Sequence, residues 1–253
     1  MLTDETMVAW ARESVCAYGL LPYVAPEPLT LRDVDLAKDV AWLMPMLYAT
    51  ARFMVRLDDP VGAAPVRTFL EIGTADGSTA IPLAKAAAEL GGRLHSVDPS
   101  DCPDAHRLIA TFGYGEHWTH HQMASDHFFA GPGATLDLDF AFVDGDHRWP
   151  VVERDIRNCY ARLRPGGILW LSDYEFVRKG TPDFDHEWDG GDYQPHVGGD
   201  PVGEAQMANG VGKAALRALP KLLWAQSMVL PIYPNPSILI RKLATGERDL
   251  QRG

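Results

Sequence analysis

An α/β fold built on a mostly parallel sheet is what this sequence predicts, and three observations carry the prediction. Between residues 66 and 174, short apolar runs alternate with amphipathic segments of helix length. The apolar runs stop abruptly at a glycine or a carboxylate: Gly73, Asp98, Asp144 and Asp173. Finally, the last two apolar runs, "LWAQSMVLPIY" and "SILIRKL", have no helix between them, so they are expected to pair antiparallel as a hairpin.

Taken in order, residues 4–19 and 33–57 read as helices separated by the Pro-rich "LPYVAPEP". Val40, Leu43, Met44, Leu47, Ala51 and Met54 recur at close to helical period in the second. "DDPVGAAP" is a breaker. "VRTFLEIG" then reads as the first strand and "STAIPLAKAAAELG" as a helix stopped by Gly91-Gly92. "RLHSVDP", "HWTHHQM", "LDFAFVDGD" and "ILWLSDY" read as strands two to five. The helices between them are "PDAHRLIATFG" and "PVVERDIRNCYARLRPGG", the latter closed by Pro165-Gly166-Gly167. One more helix is expected at about 204–222. Residues 178–203, rich in Gly and Asp, leave the end of strand five, where ligands bind in open α/β sheets, and read as a lid. The organisation expected is a helical cap or dimerisation segment over 1–60 and one catalytic domain over 61–253.

Composition narrows the function. The 253 residues are 46% hydrophobic and 23% charged, as in an ordinary globular protein. A formal charge of −11 argues against duplex nucleic acid as a partner. Arg154, Arg157, Arg162 and Arg164 read as a solvated helix face rather than a basic groove. No apolar run approaches membrane-spanning length, and the three cysteines (Cys16, Cys102, Cys159) show no paired spacing, so a cytoplasmic protein without membrane contact is expected.

The chemistry concentrates at strand ends. "FLEIGTADGSTA" places Glu71, Gly73, Thr74, Ala75, Gly77 and Ser78 between a strand and a helix. Glycines there allow a tight turn and close approach to a ligand. Gly73 and Gly77, with Ala75 between them, do not give the G-x-G-x-x-G spacing of nicotinamide sites. Asp98, followed by Pro99, ends the next strand, where a carboxylate can accept ribose hydroxyls. Either acid can also be explained as a cap or a turn residue.

These residues and the terminal hairpin resemble class I S-adenosylmethionine-dependent methyltransferases. The resemblance implies a Rossmann-like doubly wound sheet of seven strands with the last antiparallel. It implies that Gly73–Gly77 holds the methionine portion of the cofactor with Glu71 near its amino group, that Asp98 holds the ribose, and that Ser125 and Asp126 lie by the adenine.

Strands four and five end at Asp144 and Asp173, and neighbouring strands lie about 4.8 Å apart. Two carboxylates so close repel unless a proton or a cation lies between them, and Mg²⁺ is a cation that takes oxygen ligands of this kind. "VDGDHRWPVVERDI…LRPGGILWLSDY" is similar to metal-dependent small-molecule O-methyltransferases, the catechol type and the group around macrocin O-methyltransferases and cephalosporin hydroxylase-like proteins. The resemblance implies a metal at Asp144 and Asp173 and a general base at His147. It departs at Tyr174, where an amide or acid ligand is typical, so Asp146 or Glu175 is the alternative third ligand. His147 can equally be a helix-entry residue, and Asp146 an N-cap. His120-His121 alternates within a strand, so its two side chains should face opposite sides of the sheet. Asp185-His186-Glu187 reads as a solvated run, and Trp188, Tyr193 and His196 as pocket lining or loop anchors.

The function expected is O-methyl transfer to a small hydroxylated molecule, a natural product or sugar, by a homodimer. The alternatives are a metal-independent N- or C-methyltransferase and a cofactor-binding protein without catalysis.

Overall fold

A computed structural model of the chain describes residues 46–52, 67–173, 210–219, 227–230 and 237–242. The first predicted helix, most of the second, Tyr174, Glu175, the lid and the hairpin turn lie outside the described residues.

Seven strands form one sheet: β1 (Thr68–Ile72), β2 (Arg93–Asp98), β3 (Trp118–Gln122), β4 (Leu138–Val143), β5 (Leu163–Leu171), β6 (Ser227–Leu230) and β7 (Ser237–Arg241). Their order across the sheet is β3-β2-β1-β4-β5-β7-β6. β1 to β5 pair parallel, and β7 pairs antiparallel with both β5 and β6, as the missing helix predicted. The described helices are α1 (Ala80–Glu89), α2 (Pro103–Phe112), α3 (Ser125–Ala130), α4 (Trp149–Arg162) and α5 (Gly210–Ala218).

Alternation of side chains along the strands builds a core on each face. Phe69, Leu94, Phe140, Phe142, Ile168 and Trp170 face α1, α2 and the helical residues 46–52. Leu70, Val97, Ala141, Val143, Leu169 and Leu171 face α3, α4 and α5. β4 is buried along its whole length, which explains its continuous apolar run.

One element differs from the sequence reading. α4 stops at Arg162, and Leu163 opens β5 directly, so Pro165-Gly166-Gly167 lies inside the strand rather than closing the helix. Pro165 disfavours helical geometry at Arg164. The extended backbone there brings Arg164 onto Asp139, where β4 and β5 pair irregularly.

Residues 46–52 dock onto the end of α1. Tyr48 Oη donates to Glu89 at 2.7 Å and Arg52 Nε at 2.8 Å, and Lys85 also donates to the same carboxylate. Partial burial opposes ionisation of Glu89, but these donors win and hold its pKa down to about 2.

Candidate active site

Strand order reverses around β1, so β1 has β2 on one side and β4 on the other, and ligands bind outside the carboxyl ends of strands at such a point. Gly73 N–H donates to the Val97 carbonyl at 2.9 Å, Asp144 N–H to the Ile72 carbonyl at 2.9 Å, and Ser172 N–H to the Val143 carbonyl at 3.0 Å. This ladder sets Asp98, the glycine loop, Asp144 and Asp173 in a row along one sheet edge.

The two glycines meet protein rather than open space. A Cβ on Gly73 would lie 2.1 Å from the Asp144 carbonyl oxygen, and one on Gly77 would lie 2.6 Å from Ala105 Cα in α2. Both have positive φ (+90° and +85°), so each serves turn geometry and close packing together. Ala75, between them, also has φ +45°, a strained setting for a residue with a side chain. The next turn is fixed by Ser78 N–H, which donates to Asp76 at 3.0 Å.

Asp98 grips this loop. Its Oδ2 accepts from Thr74 N–H at 3.0 Å and Ala75 N–H at 3.1 Å, and its Oδ1 from Ser100 N–H at 2.8 Å, while Pro99 is exposed beside it. Burial acts to raise its pKa, but these backbone donors outweigh it and leave the carboxylate below its ordinary value. The side chains of Ser100 and Cys102 also hydrogen-bond this carboxylate.

Glu71 is fully buried beneath the loop, and both carboxyl oxygens are hydrogen-bonded to protein hydroxyls at 2.6 Å: Oε1 to Thr79 and Oε2 to Ser96. Burial pushes its pKa up to about 8 despite those bonds. Ser125 and Asp126 begin α3 at the same sheet edge. Ser125 bonds Asp155, a buried acid of α4 whose pKa burial raises to about 7, and Asp126 pairs with Arg154 at 3.2 Å.

At the far end of the row, His147 stands between two carboxylates. Its Nε2 is 3.2 Å from Asp144 Oδ1 and its Nδ1 is 3.4 Å from Asp173 Oδ2, and all three side chains are about a quarter exposed. The hydrogen bond to Asp144 raises the imidazole's pKa, aided by the charges of Asp173, Asp144 and Asp146, and burial opposes it. Asp173 adopts φ +52°, another strained residue at the same edge. Ligand atoms of Asp144, His147 and Asp173 lie within 4.8 Å of one another, the one group of three metal-ligating side chains found among the described residues.

Asp146 is turned to a different task. Its carboxylate accepts from the backbone N–H of Arg148 at 3.0 Å and from the Arg148 guanidinium, so it fixes the entry to α4 from two residues upstream while Arg148 occupies the N-cap position. The β3 histidines do face opposite sides of the sheet. His121 Nε2 lies 3.0 Å from His95 Nδ1 and His120 Nδ1 lies 3.1 Å from His106 Nε2. Burial, with His121 and Arg93 nearby, depresses the pKa of His95 to about 4. The arginines of α4 and β5 are taken up locally: Arg157 by Glu153, Arg162 by the Gly133 carbonyl and Arg164 by Asp139.

Sequence reasoning missed Thr79, Ser96, Trp118 and Arg148, the side chains that fix the acids. Thr79 and Arg148 were legible as residues at helix starts. Ser96 and Trp118 carry no local signal, because their role depends on strand register.

Residues 70–174 match the family described as Methyltransferase domain. No curated protein matches the sequence. Among solved structures, an O-methyltransferase from Bacillus cereus in complex with SAH is similar at 16% identity and TM-score 0.53, covering 96% of this chain and 93% of that one. The O-methyltransferase TomG from Streptomyces achromogenes, involved in tomaymycin synthesis and in complex with SAM, is similar at 18% identity and TM-score 0.52, covering 96% and 92%. Cofactor-bound Rv0187 from MTB is similar at 16% identity and TM-score 0.52, covering 96% and 93%. Residues 70–174 are thus similar to a methyltransferase domain, and the sheet that carries them shares the fold of these SAM- and SAH-bound proteins.

Proposed function

We propose that this protein transfers a methyl group from S-adenosylmethionine to a hydroxyl of a small molecule, with Asp144, His147 and Asp173 at the reacting end. The observation that carries the reading is the single row at one sheet edge: a loop gripped by Asp98, then two carboxylates bridged by an imidazole. Similar folds hold SAM or SAH, and one of those proteins is involved in tomaymycin synthesis, which supports the donor and a natural-product or sugar acceptor.

S-adenosylmethionine, when bound, supplies an electrophilic sulfonium methyl. The chain's part is alignment and proton handling. Asp98 would hold a ribose hydroxyl at the end of β2, and Ser125 and Asp126 would lie by the adenine. His147 accepts the acceptor's hydroxyl proton at Nδ1. Asp144, hydrogen-bonded to Nε2, keeps the ring in the tautomer that leaves Nδ1 without a proton, and Asp173, facing Nδ1, stabilises the imidazolium that forms.

Asp144 and Asp173 also fit a divalent cation, because hard cations prefer carboxylate oxygens and the two present ligand atoms within 4.8 Å of each other. Mg²⁺ there would supply Lewis acidity that lowers the pKa of a bound hydroxyl. A metal-independent reading has its own support in the imidazole, which already balances the two carboxylates. Chelation followed by Mg²⁺ readdition separates the two. Activity lost and restored is the expected result, and unchanged turnover rejects the metal.

Cys102 and Cys159 are free and buried, in keeping with the cytoplasm, and no helix among the described residues is long and apolar enough to cross a membrane. The division at residue 60, the lid and the homodimer belong to the same proposal, and sedimentation of the full chain tests the dimer.

A further inference from the structure

Glu71 is the acid that the reaction leaves unused. It sits on β1 in register with Ser96 of β2, and its side chain points to the sheet face covered by α1 and α2. Thr79, at the N-cap of α1, is hydrogen-bonded to one carboxyl oxygen and Ser96 to the other, both at 2.6 Å. Ser96 Oγ in turn accepts from Trp118 Nε1 of β3 at 2.8 Å. Four elements therefore meet at one buried carboxyl. The Gly73–Gly77 loop spans the gap between two of them, with Glu71 before it and Thr79 after it. Asp98, which grips the loop, lies two residues beyond Ser96 on β2.

We propose that Glu71 is a positioning residue, which ties β1, β2 and the start of α1 together and so holds the Gly73–Gly77 loop in the shape that Asp98 grips. It does this as a neutral acid, which donates its proton to one of the two hydroxyls it faces and accepts from the other. The titratable groups facing it are Asp98 from β2, Asp144 beyond β4 and the thiol of Cys102 before α2, and none of these is a cation. A carboxylate buried beside two others favours its proton, in line with a pKa near 8. A charged Glu71 reaching for the cofactor's amino group would have to abandon both hydroxyls.

The inference rests on the loop's being the cofactor site, so two measurements are made on the same proteins. The first is calorimetric titration with S-adenosylhomocysteine of wild type, Glu71→Gln and Glu71→Ala. A glutamine presents one acceptor and one donor, the pattern of a protonated carboxyl. The expected result is Glu71→Gln within about threefold of wild type and Glu71→Ala weaker by roughly tenfold or more. A Glu71→Gln that binds as poorly as Glu71→Ala overturns the proposal, because the charge is then what matters.

The second measurement, thermal unfolding against pH, needs no cofactor and no folded alanine variant. A carboxyl with a folded pKa near 8 and an ordinary value of 4.5 contributes stability that is complete below pH 4.5 and is lost as pH rises to 8. The Tm of wild type should therefore fall relative to that of Glu71→Gln across that window, and parallel curves reject the neutral acid. If wild type does not bind S-adenosylhomocysteine, the functional reading fails, and the unfolding curves alone decide whether Glu71 is the neutral tie.

Discussion

β4 carries an aspartate near each end, and the two are treated in opposite ways. Asp139 is buried against two guanidiniums, with Arg67 Nη1 at 2.9 Å from Oδ1, Arg164 Nη1 at 2.9 Å from Oδ2, and the Thr68 N–H also donating at 2.9 Å. Asp144, just past the other end, is partly exposed and faces an imidazole. An arginine keeps its charge at any accessible pH, whereas a histidine exchanges its proton near neutrality. A carboxylate matched to fixed cations can only hold structure. One matched to an exchangeable proton can take part in chemistry.

Substitutions sharpen that contrast, and the largest effect is expected at the structural end. Asp139→Ala should lower unfolding free energy by about 3–5 kcal/mol, because it strands two guanidiniums at the sheet edge. Asp144→Ala should cost far less in a denaturant titration while abolishing most turnover. Equal destabilisation by the two changes would break the comparison. Gly77→Ala should follow at about 2–3 kcal/mol, since its Cβ would run into the Ala105 backbone, and its Tm should drop with or without cofactor.

Asp98→Ala should weaken S-adenosylhomocysteine binding about tenfold by freeing the loop N–H groups of Thr74 and Ala75, with the melting temperature nearly kept. The smallest effect is on pH dependence. A base must be neutral to accept a proton, and the His147 pKa is raised, so kcat/KM should climb with pH through a midpoint above 6.5. The same shift stabilises the fold fully below pH 6.5 and loses that contribution as pH rises through the folded value, so the Tm of wild type should decline there more than that of His147→Ala.

The sheet was legible because strand runs, breakers and the helix-free terminal pair are local signals. The end of α4 was not, because Pro165-Gly166-Gly167 reads equally as a helix stop and as a strand entry, and the pairing of Leu163 with Leu138 decided it. At the site, the meeting of Asp144, His147 and Asp173 was legible from the ends of β4 and β5. The fates of Glu71 and Asp146 were not. Each is settled by a neighbour that brings hydrogen bonds of its own: Thr79 and Ser96 for the first, Arg148 for the second. An acid in a sequence announces a charge, and only its partners show whether that charge is kept, neutralised or spent on a turn.

The central claim is that the Asp144–His147–Asp173 end performs the transfer while the Asp98 end only binds. It is tested most directly by measuring methyl transfer from labelled S-adenosylmethionine to a panel of hydroxylated small molecules, alongside S-adenosylhomocysteine affinity, for wild type and His147→Ala. The account predicts turnover lower by about 10²–10⁴-fold in the variant with affinity essentially unchanged. Wild-type turnover in His147→Ala, or an equal loss of affinity and rate, would contradict it.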